Sequence, residues 1–433
     1  MQTKSLVCVQ VFRPYHMDKT QFNQPNIQEE NQSSLKRKYD ESGADVEMSY
    51  EPTQEDIRLV VAASTGDLEE IKSINESGNG DICFQDPQTG MSILMAAAGA
   101  GHSEVVRYLL DEGAPWNAVD KRYRCAGDYA AMNGQQAIVD MIMDHAVMSE
   151  MILSIAESED SAVIPSNLPT AVEAASLNTD MDKEVGEDVS TPSRLNAAYL
   201  ASRLEYTSDG GRLVDTSTKL AVMMDWERPL MARHAAWICF ADVNTAERPR
   251  SLHTLNVGFG MGIVDEEIMS HAPVSHTIIE AHPQVLEKME ATGWTRRSGV
   301  RVCRGRWQDV VPRLEHEIAE GKLEPFDGVF FDTYAEDDRD LSQFHHYLPR
   351  IMSHHPRARY SYYNGMCPDS VFFHGVACET TRLRLERLGF QCDFVPVLVK
   401  EEVGKDKTWR NLSGRYWNFD TYFLPQCSRR PAV

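Results

Sequence analysis

The stretch Leu252-His253-Thr254-Leu255-Asn256-Val257-Gly258-Phe259-Gly260-Met261-Gly262, followed by a helical pattern and then His276-Thr277-Ile278-Ile279-Glu280-Ala281, decides how the rest of the chain is read. An apolar run breaks into three glycines at alternate positions, and a carboxylate, Glu280, stands 22 residues after Gly258. This is a strand, tight turn, helix and second strand with an acid at its tip, the arrangement by which open parallel sheets hold a nucleoside. Ile263 occupies the place of a third dinucleotide-type glycine, so a nicotinamide dinucleotide fits poorly. Close backbone approach at Gly258, Gly260 and Gly262 suits S-adenosylmethionine, with Glu280 on its ribose hydroxyls. The plainer alternative is a structural turn and an exposed glutamate.

Outward from that unit, strand patterns fall at residues 251–257, 277–281, 300–304, 328–332, 358–363, 391–399 and 416–424, with helical patterns between them at 283–293, 308–321 and 371–388. Seven strands in this alternation predict a doubly wound α/β domain over residues 196–433, its last two strands forming a hairpin-like pair. Right-handed crossovers bring the ends of the early strands to one edge of the sheet, where ligands bind.

Upstream the texture changes. Ala62-Ala63-Ser64-Thr65-Gly66-Asp67-Leu68 is echoed by Ala97-Ala98-Gly99-Ala100-Gly101-His102-Ser103 and more faintly by Ala130-Ala131-Met132-Asn133-Gly134-Gln135-Gln136. The turn glycines Gly66, Gly101 and Gly134 are 35 and 33 residues apart. That period resembles ankyrin repeats, in which small alanines let paired helices pack closely, and it predicts a small all-α domain over residues 55–148. Such a module docks a protein or merely stabilises the chain. Residues 1–54 are Asn-, Gln-, Glu- and Ser-rich with little apolar periodicity, and disorder is expected there. Residues 150–195 hold ten acidic and two basic residues with Pro165, Pro169 and Pro192, which predicts a flexible acidic linker over 149–195.

The 433 residues carry 43 Lys and Arg against 65 Asp and Glu, a formal net charge of −22. Such a surface repels phosphate backbones, which argues against direct nucleic-acid binding and favours a basic protein as partner, although acidity also serves solubility alone. Nine cysteines without a C-x-x-C pair argue against a zinc module or a disulfide scaffold, and no metal is expected. The histidine pairs His345-His346 and His354-His355 lack acids or cysteines at ligand spacing and read as solvated. No leader and no membrane-length apolar window is evident, so a cytoplasmic monomer is expected. Lys36-Arg37-Lys38 is either a nuclear localisation signal, adding the nucleus, or a solvated charge run.

Three further motifs carry chemistry. Gly305-Arg306-Trp307-Gln308-Asp309-Val310 follows the third strand, where Trp307 and Gln308 would flank an adenine ring and bond its edge, or Trp307 would be core and Gln308 or Asp309 a helix cap. Met223-Met224-Asp225-Trp226-Glu227-Arg228-Pro229 and Phe330-Phe331-Asp332-Thr333-Tyr334 each bring a carboxylate toward the pocket. Two such acids beside a sulfonium point to a cationic substrate, and a guanidinium matches carboxylates with planar forks.

In this order, Met-x-x-Trp-Glu-x-Pro, Val-Gly-Phe-Gly-Met, Ile-Ile-Glu, Trp-x-Asp-Val and Asp-Thr-Tyr resemble guanidinoacetate N-methyltransferase over roughly residues 196–425. With ankyrin-like repeats in front, the chain resembles the fungal protein arginine N-methyltransferase 2 family. That resemblance implies a class I methyltransferase fold, S-adenosylmethionine as cofactor, and type IV activity on the δ nitrogen of arginine in a protein, with a large-subunit ribosomal protein as substrate. It implies that Glu227 and Asp332 hold the guanidino group. Tyr334 and Asn364, the latter at the tip of the fifth strand, are secondary candidates, each with packing as its alternative role. The resemblance also implies that Met224, Gly258, Phe259, Gly260, Met261, Gly262, Glu280, His282, Gly305, Trp307, Gln308 and Asp332 surround the cofactor. Two positions depart from the pattern: Asn256 stands where many such enzymes carry an acid, and Arg228 where threonine is more usual.

Overall fold

The computed structural model describes residues 52–157, 194–243, 249, 251–355 and 358–430. The segment expected to be disordered, with Lys36-Arg37-Lys38, and most of the expected linker lie outside the described residues. The chain divides into two compact units, Met1–Ile152 and Leu153–Val433.

In the first unit, three helix pairs follow one another: Gln54–Thr65 with Leu68–Ser77, Ile93–Ala100 with Ser103–Asp111, and Ala126–Met132 with Gln136–Glu157. Local chemistry starts them. Thr53 and Asp56 form a reciprocal capping box on the first helix, and the Ser92 side chain accepts from the Met95 amide on the third. The alanines Ala62, Ala63, Ala97 and Ala98 are buried where the pairs meet. Gly66 and Gly101 cap their helices at φ +80° and +86°, and each is overlaid by the following repeat. A Cβ on Gly66 would lie 2.5 Å from His102 Nδ1, and one on Gly101 2.6 Å from Gln135 Nε2. The next repeat thus fills the turn of the one before it, which makes the 33–35-residue period a packing requirement. The last helix continues through Glu157 into the stretch expected to be linker.

The second unit opens with the helix Arg194–Ala201 and a three-stranded antiparallel sheet, β1 (Leu204–Tyr206), β2 (Arg212–Asp215) and β3 (Ala221–Met224). The sequence pattern did not show this sheet, because its strands are only three or four residues long. The main sheet contains β4 (His253–Val257), β5 (Ser275–Glu280), β6 (Val300–Arg304), β7 (Gly328–Phe331), β8 (Arg359–Tyr362), β9 (Phe390–Leu398) and β10 (Thr421–Arg429), in the order β6-β5-β4-β7-β8-β10-β9. β4 to β8 pair in parallel, and β10 runs antiparallel to both β8 and β9. The expected seven-stranded α/β architecture is the one observed.

Parallel strands covered on both faces are apolar throughout, and β7 shows why. Val329 and Phe331 enter a core with Trp307, Val311 and Phe344, whereas Phe330 enters the opposite core with Met231, Ile238 and Ile278. The last strand begins at Thr421 instead of residue 416. Tyr416, Trp417 and Phe419 have strand composition but pack with Trp226 and Trp409 in a separate cluster, so they join no ladder. The register of β9 with β10 also sets Cys392 opposite Cys427 and bridges their sulfurs, a pairing that cysteine spacing did not reveal. His345, expected to be solvated, is buried with Nε2 3.0 Å from the Tyr360 hydroxyl, and burial pushes its pKa down to about 3. No helix among the described residues is long and apolar enough to cross a membrane.

Candidate active site

The glycine turn closes the C-terminal end of β4. Gly258 has φ +95°, and a Cβ there would stand 1.8 Å from the Asp332 carbonyl oxygen, so no side chain fits where the two strand ends meet. Tyr206 of β1 donates its hydroxyl hydrogen to the Gly260 carbonyl at 3.0 Å, and the Met261 amide meets Met223 Sδ of β3 at 3.3 Å. The small antiparallel sheet therefore braces the turn from above.

Glu280 ends β5, where its carboxylate accepts from the Phe259 amide at 2.9 Å and from the Ala281 and His282 amides at 2.8 and 2.7 Å. Those donors fix the carboxylate at the mouth of the turn, while burial pushes its pKa upward. A cleft opens there. Its walls include Gly258, Gly260, Glu280, Gly305, Trp307, Asp332 and Tyr334, all expected at the site, together with Asn196 and Tyr199 from the helix Arg194–Ala201. Tyr199 packs its ring 4.9 Å from both Tyr334 and His282.

The remaining expected residues stand behind these walls. Phe259 is buried against Trp294 at 5.2 Å, Gly262 caps the helix Ile263–Ser270, and His282 caps Pro283–Ala291 by accepting from the Gln284 amide. Met224 is buried below the pocket, and its amide holds Glu227. Trp307 is mostly a core residue, with its Nε1 donating to Glu336 at 2.9 Å. Gln308 donates to the same carboxylate at 2.9 Å, leaving its Oε1 buried with no partner. Asn364 is fully buried and donates to the Phe423 carbonyl, which is a packing role.

These features fit S-adenosylmethionine. The backbone at Gly258 admits close approach, a fixed carboxylate stands at the tip of β5, and Gln308 keeps an unused acceptor behind the third strand's end.

Of the two acids, Asp332 lines the cleft and Glu227 lies near enough for the two charges to interact. Glu227 ends the short 3-10 turn Asp225–Glu227 and is 3% exposed. Its Oε1 accepts from the Met224 amide at 3.0 Å and from the Tyr416 hydroxyl, which in turn accepts from Trp226 Nε1 at 2.9 Å. Burial and then the Asp332 charge push the Glu227 pKa up to about 8, against the lowering effect of the Tyr416 and Met224 bonds. Asp332 follows β7 with its Oδ2 buried and unpartnered; burial and then the Asp265 charge push its pKa up to about 7. Two carboxylates kept together without a cation form a site built for one.

The two departures in sequence resolve here. Arg228 turns outward and pairs with Asp225 at 2.9 Å, so it places no charge against Glu227. Asn256 donates to Asp265 Oδ1 at 2.8 Å and to the Gly258 carbonyl at 2.7 Å, and His276 Nε2 lies 2.9 Å from the same Asp265 oxygen. The buried acid of this region sits on the helix Ile263–Ser270, and an amide at 256 serves it. Sequence reasoning also missed Tyr416, Tyr363, Tyr199 and Glu336, which reach the site only through tertiary packing.

Comparison with known proteins agrees with this geometry. The family described as Guanidinoacetate N-methyltransferase matches residues 201–361, and Ankyrin repeats (3 copies) match residues 59–150. The Protein arginine N-methyltransferase 2 of Emericella nidulans is 30% identical over 409 residues, covering 88% of each chain. That of Cryptococcus neoformans is 31% identical over 386 residues, covering 85% of this chain and 93% of the relative, and that of Saccharomyces cerevisiae is 29% identical over 331 residues, covering 75% and 77%. With similarity that runs through both units, the chain belongs to the protein arginine N-methyltransferase 2 family.

Proposed function

We propose that this protein transfers a methyl group from S-adenosylmethionine to the δ nitrogen of an arginine side chain in a basic protein, a type IV protein-arginine methylation. The observation that carries the reading is the pair Glu227 and Asp332, two carboxylates whose charges interact with no cation between them among the described residues, at a cleft suited to the methyl donor. The relatives' name, which specifies protein arginine, supports the substrate class.

When bound, S-adenosylmethionine supplies an activated methyl group on a sulfonium centre. Glu280, Gly258 and Gln308 would hold it. Glu227 and Asp332 neutralise and orient the guanidinium through its outer nitrogens, leaving the inner nitrogen free to act as nucleophile. Positioning and electrostatic stabilisation then account for most of the rate, because the methyl donor is already activated, and the proton leaves the nitrogen after transfer. The repeats recruit the protein substrate, for which a large-subunit ribosomal protein is the first candidate, and the enzyme acts as a monomer in cytoplasm and nucleus.

The test is mass spectrometry of a basic-protein extract incubated with the purified chain and labelled S-adenosylmethionine, with fragmentation that separates δ-methylarginine from terminal products. A δ product that disappears in Glu227→Gln and Asp332→Asn establishes the reading. Label appearing only in small guanidino compounds would overturn it and favour the alternative that the guanidinoacetate N-methyltransferase match supports.

A further inference from the structure

The hydroxyl of Tyr363 is buried and has no hydrogen-bond partner among the described residues. Tyr363 directly follows β8, and its amide donates to the carbonyl of Phe331, the residue before Asp332, at 2.9 Å. Its ring lies 5.6 Å from that of Tyr422 and touches two of the core clusters, so the hydroxyl is held rigidly. Glu227 and Asp332 both act on it electrostatically. Sealing a hydroxyl away from water without a partner is costly, and a rigid orphan within reach of the charges of both acids and beside the end of β7 marks a contact that forms only with substrate.

Counting acceptors shows which contact. An arginine guanidinium whose inner nitrogen faces the methyl donor has four outer N–H groups to satisfy. Glu227 Oε1 already accepts two hydrogen bonds, from Met224 and Tyr416, so this carboxylate has lost the two-oxygen fork and offers chiefly Oε2. Asp332 offers both oxygens, since among the described residues its Oδ2 has no partner and no bond to Oδ1 is seen. That leaves three carboxylate oxygens for four N–H groups, so either one oxygen takes two of them or a neighbouring group accepts the fourth.

We infer that Tyr363 is the fourth acceptor, a substrate-binding residue that takes one outer guanidino N–H and thereby helps present the inner nitrogen. This rests on the δ-nitrogen reading above for its count of four. Neither the glycine turn nor the carboxylate motifs point to Tyr363, and its role is specificity: a terminal nitrogen turned toward the donor would leave the hydroxyl orphaned.

The test compares Tyr363→Phe with the wild type in the full-length protein, using a basic-protein extract and labelled S-adenosylmethionine. Apparent KM, kcat, product regiochemistry, cofactor affinity by calorimetry and melting temperature are all measured. The expected result is a loss of about tenfold in kcat/KM, carried mainly by KM, together with a larger share of terminally methylated product. Cofactor affinity is unchanged and the melting temperature is equal or higher, because the free protein loses no hydrogen bond. An unchanged kcat/KM and product ratio overturns the inference. A variant that melts lower or fails to fold also overturns it, since the hydroxyl would then be structural. The wild-type product separately tests the δ reading: if it is wholly terminal, that reading fails, while the variant-to-wild-type ratio of kcat/KM still decides whether Tyr363 accepts from the guanidino group.

Discussion

Tyr416 donates its hydroxyl hydrogen to Glu227 across 189 residues of chain, joining the loop before β10 to the turn before the helix Arg228–Ile238. The bond favours the ionised carboxylate, opposing the burial that raises its pKa. A cationic guanidinium binds best when Glu227 and Asp332 are charged, so kcat/KM should rise with pH toward about 8. Tyr416→Phe removes the stabilising bond and should move that limb upward by about one pH unit. A pH–rate profile checks this, and superimposable limbs would remove Glu227 from the titration.

The same pair makes the free protein's stability depend on pH. Both folded-state pKa values lie above the ordinary carboxylate range, so the folded state binds protons more tightly than the unfolded chain. Their favourable contribution is fully present below about pH 4 and is lost as pH rises through about 7 to 8. Denaturation of ligand-free protein should therefore show a loss on the order of 6 kcal/mol between pH 5 and 8 from the two groups together. Glu227→Gln and Asp332→Asn should each flatten that decline and melt higher than the wild type at pH 8.

Asn256→Asp would restore the acid common in related glycine turns, yet here it should do harm. Asn256 donates to Asp265 Oδ1 at 2.8 Å, and the substitution would place two carboxylates in contact in a buried position. The expected cost is about 3 kcal/mol near neutral pH, with partial recovery below pH 5 as one group takes a proton. Urea denaturation at two pH values measures it.

Gly258→Ala should abolish activity. The added methyl would overlap the Asp332 carbonyl at 1.8 Å in a backbone conformation of φ +95°. Either the turn or the β7 end must shift, and a displaced Asp332 loses its place beside Glu227. Calorimetry should show S-adenosylmethionine affinity falling by more than tenfold.

Removing residues 1–157 tests the role proposed for the repeats. The remaining unit has its own sheet and its own cores, so it should fold and bind S-adenosylmethionine normally. Apparent KM for the protein substrate should rise at least tenfold, and an unchanged KM would assign the repeats a purely stabilising role.

Much of this protein follows from local pattern. The 33–35-residue period arises because each repeat must fill its neighbour's turn, as His102 fills the space over Gly66, so the repeat is written into the chain itself. The glycine turn and Glu280 are legible for a similar reason: residues within one strand, turn, helix and strand unit have their geometry set by short-range sterics. Asp332 stands out as a carboxylate at the end of an apolar strand, and Glu227 through its place in the Trp-Glu-x-Pro motif.

The tertiary structure alone decides how those carboxylates behave. Whether Glu227 is a free fork or a half-occupied one depends on Tyr416, and the run around Tyr416 looked like a strand until Trp226 and Trp409 provided a better burial site for its aromatics. Tyr363 lies in a tyrosine-rich strand pattern where nothing marks one tyrosine from the next. Only the sheet register, which places it beside the end of β7, makes its hydroxyl an orphan at the site. Sequence periodicity records what a residue does for its own helix or strand. Charge state and hydrogen-bond vacancy depend on groups brought together from distant parts of the chain, so they emerge only with the fold.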